Sequence, residues 1–264
     1  MKPSAEPKRT DDPIHVALFV DVMGVQNLLV PVASAGQEPT QEPTQRLDRC
    51  RTRLEDFHRD LNDTVERDLP LLFRTTPTAV LPHFVAEFSD CAYVVGSRFG
   101  DVAVAGLLLM RKALRHGYPL RGGIGMGTFA HEASGVRASG SGAVWSTSSF
   151  LGGAIVTAYL AERSVALGTR VFVHPTVGSG EAGHHVSSYT VPLLGAELND
   201  QSSHELRLWR SSEAPSALQR LQGLCDAEHL AERVRQHYEA TFAAYCRFAL
   251  IAADLPLIPP ALWL

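Results

Sequence analysis

Apolar side chains change their spacing from segment to segment along this chain, and the spacing assigns most of its elements. Residues 16–24 read Val-Ala-Leu-Phe-Val-Asp-Val-Met-Gly, a nearly unbroken hydrophobic run that predicts a buried strand over about 14–21. The chain then turns at Gly24 into a short helical stretch near 26–30. Two Glu-Pro-Thr copies, at 38–40 and 42–44, place an exposed loop over 33–44. Leu47, Leu54, Phe57, Leu61 and Val65 recur at helical spacing and predict a long amphipathic helix over 45–68, ended by Pro70.

Residues 83–88 and 91–96 read as two strands of a hairpin around Asp90, and Asp101 is expected to cap a helix that runs to about residue 113. A strand over 120–127 follows, with Arg121 as its only charge. The Gly/Ser-rich segment 135–149 reads as a loop, Gly152 and Gly153 open a helix to about 167, and residues 169–174 form a strand. Two more strands are expected near 186–194 and 205–209. From 217 to 252 the pattern is helical, with Leu221, Leu224, Leu230, Val234, Tyr238 and Phe242 on one side. This order predicts an α+β protein, one sheet covered by helices with a C-terminal helical extension.

Composition narrows the function classes. At 264 residues the chain is long enough for a substantial core. A formal net charge of −4 gives no basic footprint, so binding to a nucleic-acid duplex is not expected. The longest apolar stretch, 102–110, is far short of the roughly 20 residues that cross a bilayer. Residues 1–12 are polar, without the apolar centre of a signal peptide, so a flexible tail and a cytoplasmic location are expected. Cys50, Cys91, Cys225 and Cys246 include no Cys-x-x-Cys pair, which argues against a zinc site or a disulfide framework.

Asp21 and Asp90 carry the chemistry. A carboxylate at the lip of a buried strand is costly unless a cation sits against it, and its occurrence at the ends of two strands suggests one shared metal site. Met23, Gly24 and Val25 lead from a strand into a helix, so their amides are candidates to cradle phosphate oxygens. Arg121 needs a partner on its apolar strand, either a bound nucleotide or an acid such as Glu87 or Glu132. Other features carry less. His184 and His185 have no third ligand in sequence. The glycines at 123, 125 and 127 follow the strand period instead of opening a helix, which disfavours a dinucleotide fold. A haloacid-dehalogenase-type phosphatase would need a second Asp where Met23 stands.

Four segments in this order resemble the landmarks of class III nucleotide cyclase domains: Phe19-Val20-Asp21-Val22-Met23-Gly24, Ser89-Asp90, Leu120-Arg121-Gly122-Gly123-Ile124-Gly125-Met126-Gly127, and Gly152-Gly153-Ala154-Ile155-Val156-Thr157-Ala158-Tyr159. They are most similar to the pyrimidine cyclases of bacterial anti-phage signalling. The resemblance implies a ferredoxin-like sheet, with residues 13–210 as the catalytic domain and 211–264 as the helical extension. It implies two Mg2+ or Mn2+ ions per site, held by Asp21, Asp90 and the backbone carbonyl of Val22. It further implies a nucleoside triphosphate substrate, a homodimer with sites at its interface, and a separate effector that senses the cyclic product.

Two departures from the purine-cyclase pattern bear on the substrate. The helix positions that carry Asn and Arg in purine cyclases hold Val156 and Leu160, and the position that reads a purine base holds Ala86. The expectation is a cyclase for a pyrimidine triphosphate, UTP to cUMP ahead of CTP to cCMP, with Arg121, Thr157 and Tyr159 as base, ribose or catalytic candidates. The alternative is a cyclase-fold pseudoenzyme that binds nucleotide or protein without turnover.

Overall fold

The computed structural model describes residues 13–25, 43–76, 78–138, 144–163, 168–178, 190–192, 204–206, 214–226 and 232–248. The expected helical stretch at 26–30, most of the 33–44 loop and the pair His184 and His185 lie outside them.

Strand β1, His15–Val22, is buried on both sides. Val16, Leu18, Val20 and Val22 enter the main core, whereas Ala17 and Phe19 enter a smaller cluster on the opposite face. A continuous apolar run is the pattern of a strand covered on both faces. β1 pairs antiparallel with β3, Cys91–Gly96, and with β4, Leu120–Gly127; β2, Phe84–Glu87, pairs with β3. Helix α1, Pro43–Asn62, separates β1 from β2, and α3, Phe99–His116, separates β3 from β4. The resulting strand order β2-β3-β1-β4 is the split β-α-β-β-α-β arrangement of a ferredoxin-like sheet. β7, Val171–Val173, adds to β4 in parallel, and β9, His204–Leu206, with β8, Thr190–Pro192, completes seven strands. The expected α+β architecture is present.

Several local expectations are corrected. Pro70 does not end the long helix. α1 widens into a π-helical turn at Asp63–Asp68 and continues as α2, Leu69–Phe73, so Pro70 falls in a first turn, where a missing N–H costs little. Asp101 is not the cap of α3, because the N-cap position is Arg98. Its carboxylate, 8% exposed, instead accepts a 3.0 Å hydrogen bond from the Val80 N–H. The Gly/Ser-rich segment is not a loop throughout; its arms form β5, Ala130–Ala138, and β6, Val144–Leu151, a two-stranded ribbon with a register shift between Ala133 and Val136. Its sequence lacks the regular alternation of a half-buried strand, so composition does not announce it, although Phe150 and His131 at its base pack on Phe84.

Helix α4, Gly153–Arg163, lies on the face of the sheet opposite α1 and α3, against β4. The glycines of β4 make this possible. A Cβ at Gly127 would stand 2.8 Å from the Ala154 nitrogen, and one at Gly123 would overlap the Ala158 carbonyl oxygen. Glycine at every second position therefore lets a helix backbone rest directly on the strand.

The C-terminal pattern is two helices, not one: α5, Ala214–Cys225, and α6, Glu232–Phe248, packed on each other. Leu221, Cys225 and Tyr238 are buried in the main core, so these helices serve intramolecular packing. The Arg220 guanidinium donates to the carbonyls of Leu114, at 2.8 Å, and Arg115, which ties α5 to the end of α3. Among the described residues no helix is long and apolar enough to cross a membrane.

Candidate metal and nucleotide site

Antiparallel pairing puts Asp21 opposite both Cys91 and Arg121, on the face that also carries Phe19, Tyr93 and Gly123. Asp90 is the last residue of the turn before β3. Its carbonyl accepts a 2.7 Å hydrogen bond from the Val22 N–H, which draws the turn against the end of β1. The structure thus brings the two acids together from stretches of chain about seventy residues apart in sequence. β1 then leaves the sheet through Met23, whose N–H donates to the Pro119 carbonyl at 2.9 Å, and Gly24, which takes the left-handed φ of 82° that favours glycine. Val25 begins the helical conformation beyond it.

Electrostatics at this point are dominated by negative charge. Asp21 is pushed up to about 6, first by burial, then by the neighbouring Glu162 and Asp90 carboxylates, against the opposing pull of Arg121 and Arg163. Burial also raises Glu162, and burial with Asp90 and Asp21 raises the Cys91 thiol to about 11. A divalent cation is the species that such crowded oxygen donors would accept, and their hardness suits Mg2+ or Mn2+ over a soft metal. Among the described residues, no group of three or more His, Cys, Asp or Glu side chains could hold an ion by itself. An ion bound here would complete its shell with backbone, solvent or ligand oxygens.

Arg121 is 7% exposed, and its sequence-expected partners Glu87 and Glu132 are replaced by a third acid. Its Nε stands 3.0 Å from Glu162 Oε1, its guanidinium also donates to the Glu162 carbonyl, and its cation lies 5.4 Å from the Phe172 ring centroid. The reason is the glycine contact. α4 rests so low on β4 that Glu162, one helical turn beyond Ala158, arrives beside Arg121. Glu162, with Cys91 and Tyr93, was not singled out by sequence reasoning. The available signal was a lone acid on a helix laid over a strand with a lone arginine.

Tyr159 remains near the site. Its ring meets Phe19 edge to face at 5.6 Å, it is 37% exposed, and the Arg163 guanidinium stacks 5.4 Å above it. Thr157 is not brought to Asp21. It packs level with Gly125, four residues and about 13 Å along β4 from Arg121. Its hydroxyl donates to the Gly153 carbonyl at 2.8 Å. Val156 is 55% exposed, and Ala86 pairs with Tyr93 on the face that holds Asp21.

No family model matches this chain, and neither does any curated protein. Among solved structures it is similar to the guanylyl cyclase Cya2, at 14% identity over 74% of this chain and 92% of that one, with a TM-score of 0.39. It is also similar to the monomeric guanylyl cyclase domain of the RhoGC fusion protein from the aquatic fungus Blastocladiella emersonii, at 12% identity over 74% and 95% with a TM-score of 0.36. The guanylate cyclase domain of RhGC from Catenaria anguillulae, solved with GTP, matches at 12% identity over 73% and 94%, again with a TM-score of 0.36.

Proposed function

We propose that residues 13–210 form a nucleotide cyclase domain that converts a pyrimidine nucleoside triphosphate, UTP ahead of CTP, to its 3′,5′-cyclic monophosphate and pyrophosphate. One observation carries this proposal: Asp21 is half-buried beside Glu162 and Asp90, and burial first, then those two carboxylates, hold its proton up to about 6. Such an arrangement is unfavourable for an idle protein and suited to one that binds cations with a triphosphate.

Asp21 and Asp90 would hold two Mg2+ or Mn2+ ions together with the Val22 carbonyl. When bound, the ions supply Lewis acidity at the ribose 3′-hydroxyl and offset charge on the triphosphate. The 3′-oxygen, giving up its proton to solvent, attacks the α-phosphorus in line as the bond to the pyrophosphate oxygen on the opposite side breaks. Gly24 and Val25 would direct backbone amides at the phosphates, whereas the Met23 amide, expected to join them, is already bonded to the Pro119 carbonyl. Ala86 and Val156 leave the usual purine-reading and ribose-steadying contacts unmade, which supports a pyrimidine substrate. Tyr159 and Arg121 are the remaining candidates for base and ribose contacts. Thr157 would act only through the packing of α4.

The domain would work as a cytoplasmic homodimer with its sites at the interface, where Tyr159, packed on Phe19, and Val156, farther along the same helix, are exposed. In that reading its product is a second messenger of bacterial antiviral signalling, sensed by a separate effector. The exposed apolar Val156, in place of a polar contact, equally favours a second reading, a nucleotide-binding pseudoenzyme.

Incubation of the full chain with each of the four triphosphates and Mn2+ separates the two. The expected result is cyclic UMP, with a smaller yield of cyclic CMP, and a loss on the order of a thousandfold in Asp21→Ala or Asp90→Ala. A folded chain that releases no cyclic product from any triphosphate overturns the enzymatic proposal.

A further inference from the structure

We infer that His58 is a positioning residue for Asp90, an inference that rests on Asp90 being a metal ligand. His58 lies on α1, 31 residues before Ser89, and its ring spans the turn that carries Asp90. Nε2 stands 3.1 Å from the Ser89 carbonyl oxygen, and Nδ1 stands 3.3 Å from Glu87 Oε1. The Ser89 carbonyl can only accept, so Nε2 carries a proton and donates it there. The ring is therefore bonded to the residue directly before the acid, with the Glu87 carboxylate at the end of β2 lying beside its other nitrogen.

The grip has a firm base. Phe57, Asp60 and Leu61 surround His58 in sequence and are 0%, 2% and 1% exposed. Asp60 is fixed in turn by the Tyr118 hydroxyl, which donates to it at 2.9 Å, and by His116 Nδ1 at 2.7 Å. The turn itself is lightly held. Ser89 Oγ donates to Asp90 Oδ1 at 3.1 Å, the Phe88 N–H donates to the Cys91 carbonyl at 2.8 Å, and the Val22 N–H donates to the Asp90 carbonyl. A carboxylate in a three-residue turn between short strands needs an outside anchor to keep one orientation. His58 is the side chain from the buried α1 scaffold that supplies it.

The test uses the full chain and two readouts that do not depend on turnover. The first is Mn2+ affinity, followed by the electron paramagnetic resonance of free Mn2+. The second is hydrogen exchange at the Val22 amide without metal, since that amide reports where the Asp90 carbonyl sits. His58→Ala is expected to weaken Mn2+ roughly tenfold and to speed Val22 exchange, with the thermal midpoint little changed. His58→Gln keeps a side-chain N–H for the Ser89 carbonyl and is expected to restore most of both. Wild-type affinity and exchange in His58→Ala, or a Gln variant no better than Ala, overturns the inference. Asp90→Ala is the control for the metal reading. If wild type and Asp90→Ala bind Mn2+ alike, or neither binds it, that reading is what fails, and the role assigned to His58 fails with it.

Discussion

Asp21 and Arg121 stand directly opposite each other across the β1–β4 pair, yet the Arg121 guanidinium closes its ion pair on Glu162, with Nε 3.0 Å from Oε1. The cation nearest in register is thus shared with a competing acid. Asp21 is left with more negative than positive charge around it, which is the electrostatic state that a divalent ion would relieve.

Metal-free stability should carry the mark of that state. Asp21 titrates near 6 in the folded chain and near its ordinary 3.8 when unfolded. The folded protein therefore holds the proton more tightly, and stability falls as pH rises from about 4 to about 6, then stays level. At this partly solvated carboxylate the cost at neutral pH is on the order of 1–2 kcal/mol after screening. Asp21→Asn should remove it. Urea unfolding without metal at pH 7.5 is expected to show the variant more stable than wild type, with the difference gone near pH 4. A variant no more stable at pH 7.5 would contradict the raised Asp21 carboxyl, whether burial or its acidic neighbours raise it.

Glu162→Gln probes the same site from the helix. Glu162 is the largest charge contribution to the raised Asp21 value after burial. Its neutralisation should let Asp21 ionise at lower pH. The pH midpoint of Mn2+ binding, followed by calorimetry between pH 5 and 8, is expected to move down relative to wild type. An unchanged midpoint would mean that Glu162 does not act on Asp21.

How much of this was legible in sequence depended on which atoms define each feature. β1 was legible because burial on both faces demands an unbroken apolar run, and the β2–β3 hairpin because Asp90 interrupts two such runs. The alternating glycines of β4 were read as a strand, and α4 explains the alternation. By contrast β5 and β6 mix polar and apolar residues without the strict alternation of a half-buried strand, so their periodicity does not mark them. Pro70 and Asp101 misled because each has two permitted places near a helix start, and only the surrounding chain selects one. The engagement of Arg121 by Glu162 was hidden because it depends on how closely α4 approaches β4, a tertiary distance that the glycines permit but do not display.

Gly123→Ala tests that approach. The added Cβ would come within 3.0 Å of Ala161 Cβ and closer still to the Ala158 carbonyl oxygen and Glu162 nitrogen, which are backbone atoms of α4. Since a helix backbone cannot step aside alone, α4 must lift as a unit. The expected cost is about 2–4 kcal/mol in urea unfolding, with loss of the Arg121–Glu162 pairing. Gly178→Ala, where nothing lies within 4 Å of the new Cβ, is the matched control and should change stability little.

The same face of the sheet, farther across toward β9, holds a second buried pair with a different expected response. Arg170 NH1 meets Glu205 Oε2 at 2.9 Å with both side chains 1% exposed, and the Arg170 guanidinium lies 5.2 Å from the Phe172 ring centroid. It joins the segment before β7 to β9, whose Glu205 is the register partner of Phe172. Removal of one partner strands a charge out of water, so Glu205→Leu alone is expected to cost about 3–5 kcal/mol. Arg170→Met with Glu205→Leu removes both charges and replaces them with apolar side chains. The double variant should recover most of that loss in a double-mutant cycle by urea unfolding. If the two single changes are merely additive, Arg170 and Glu205 are not coupled, and attachment of β9 to the sheet rests on its backbone ladder to β7 instead.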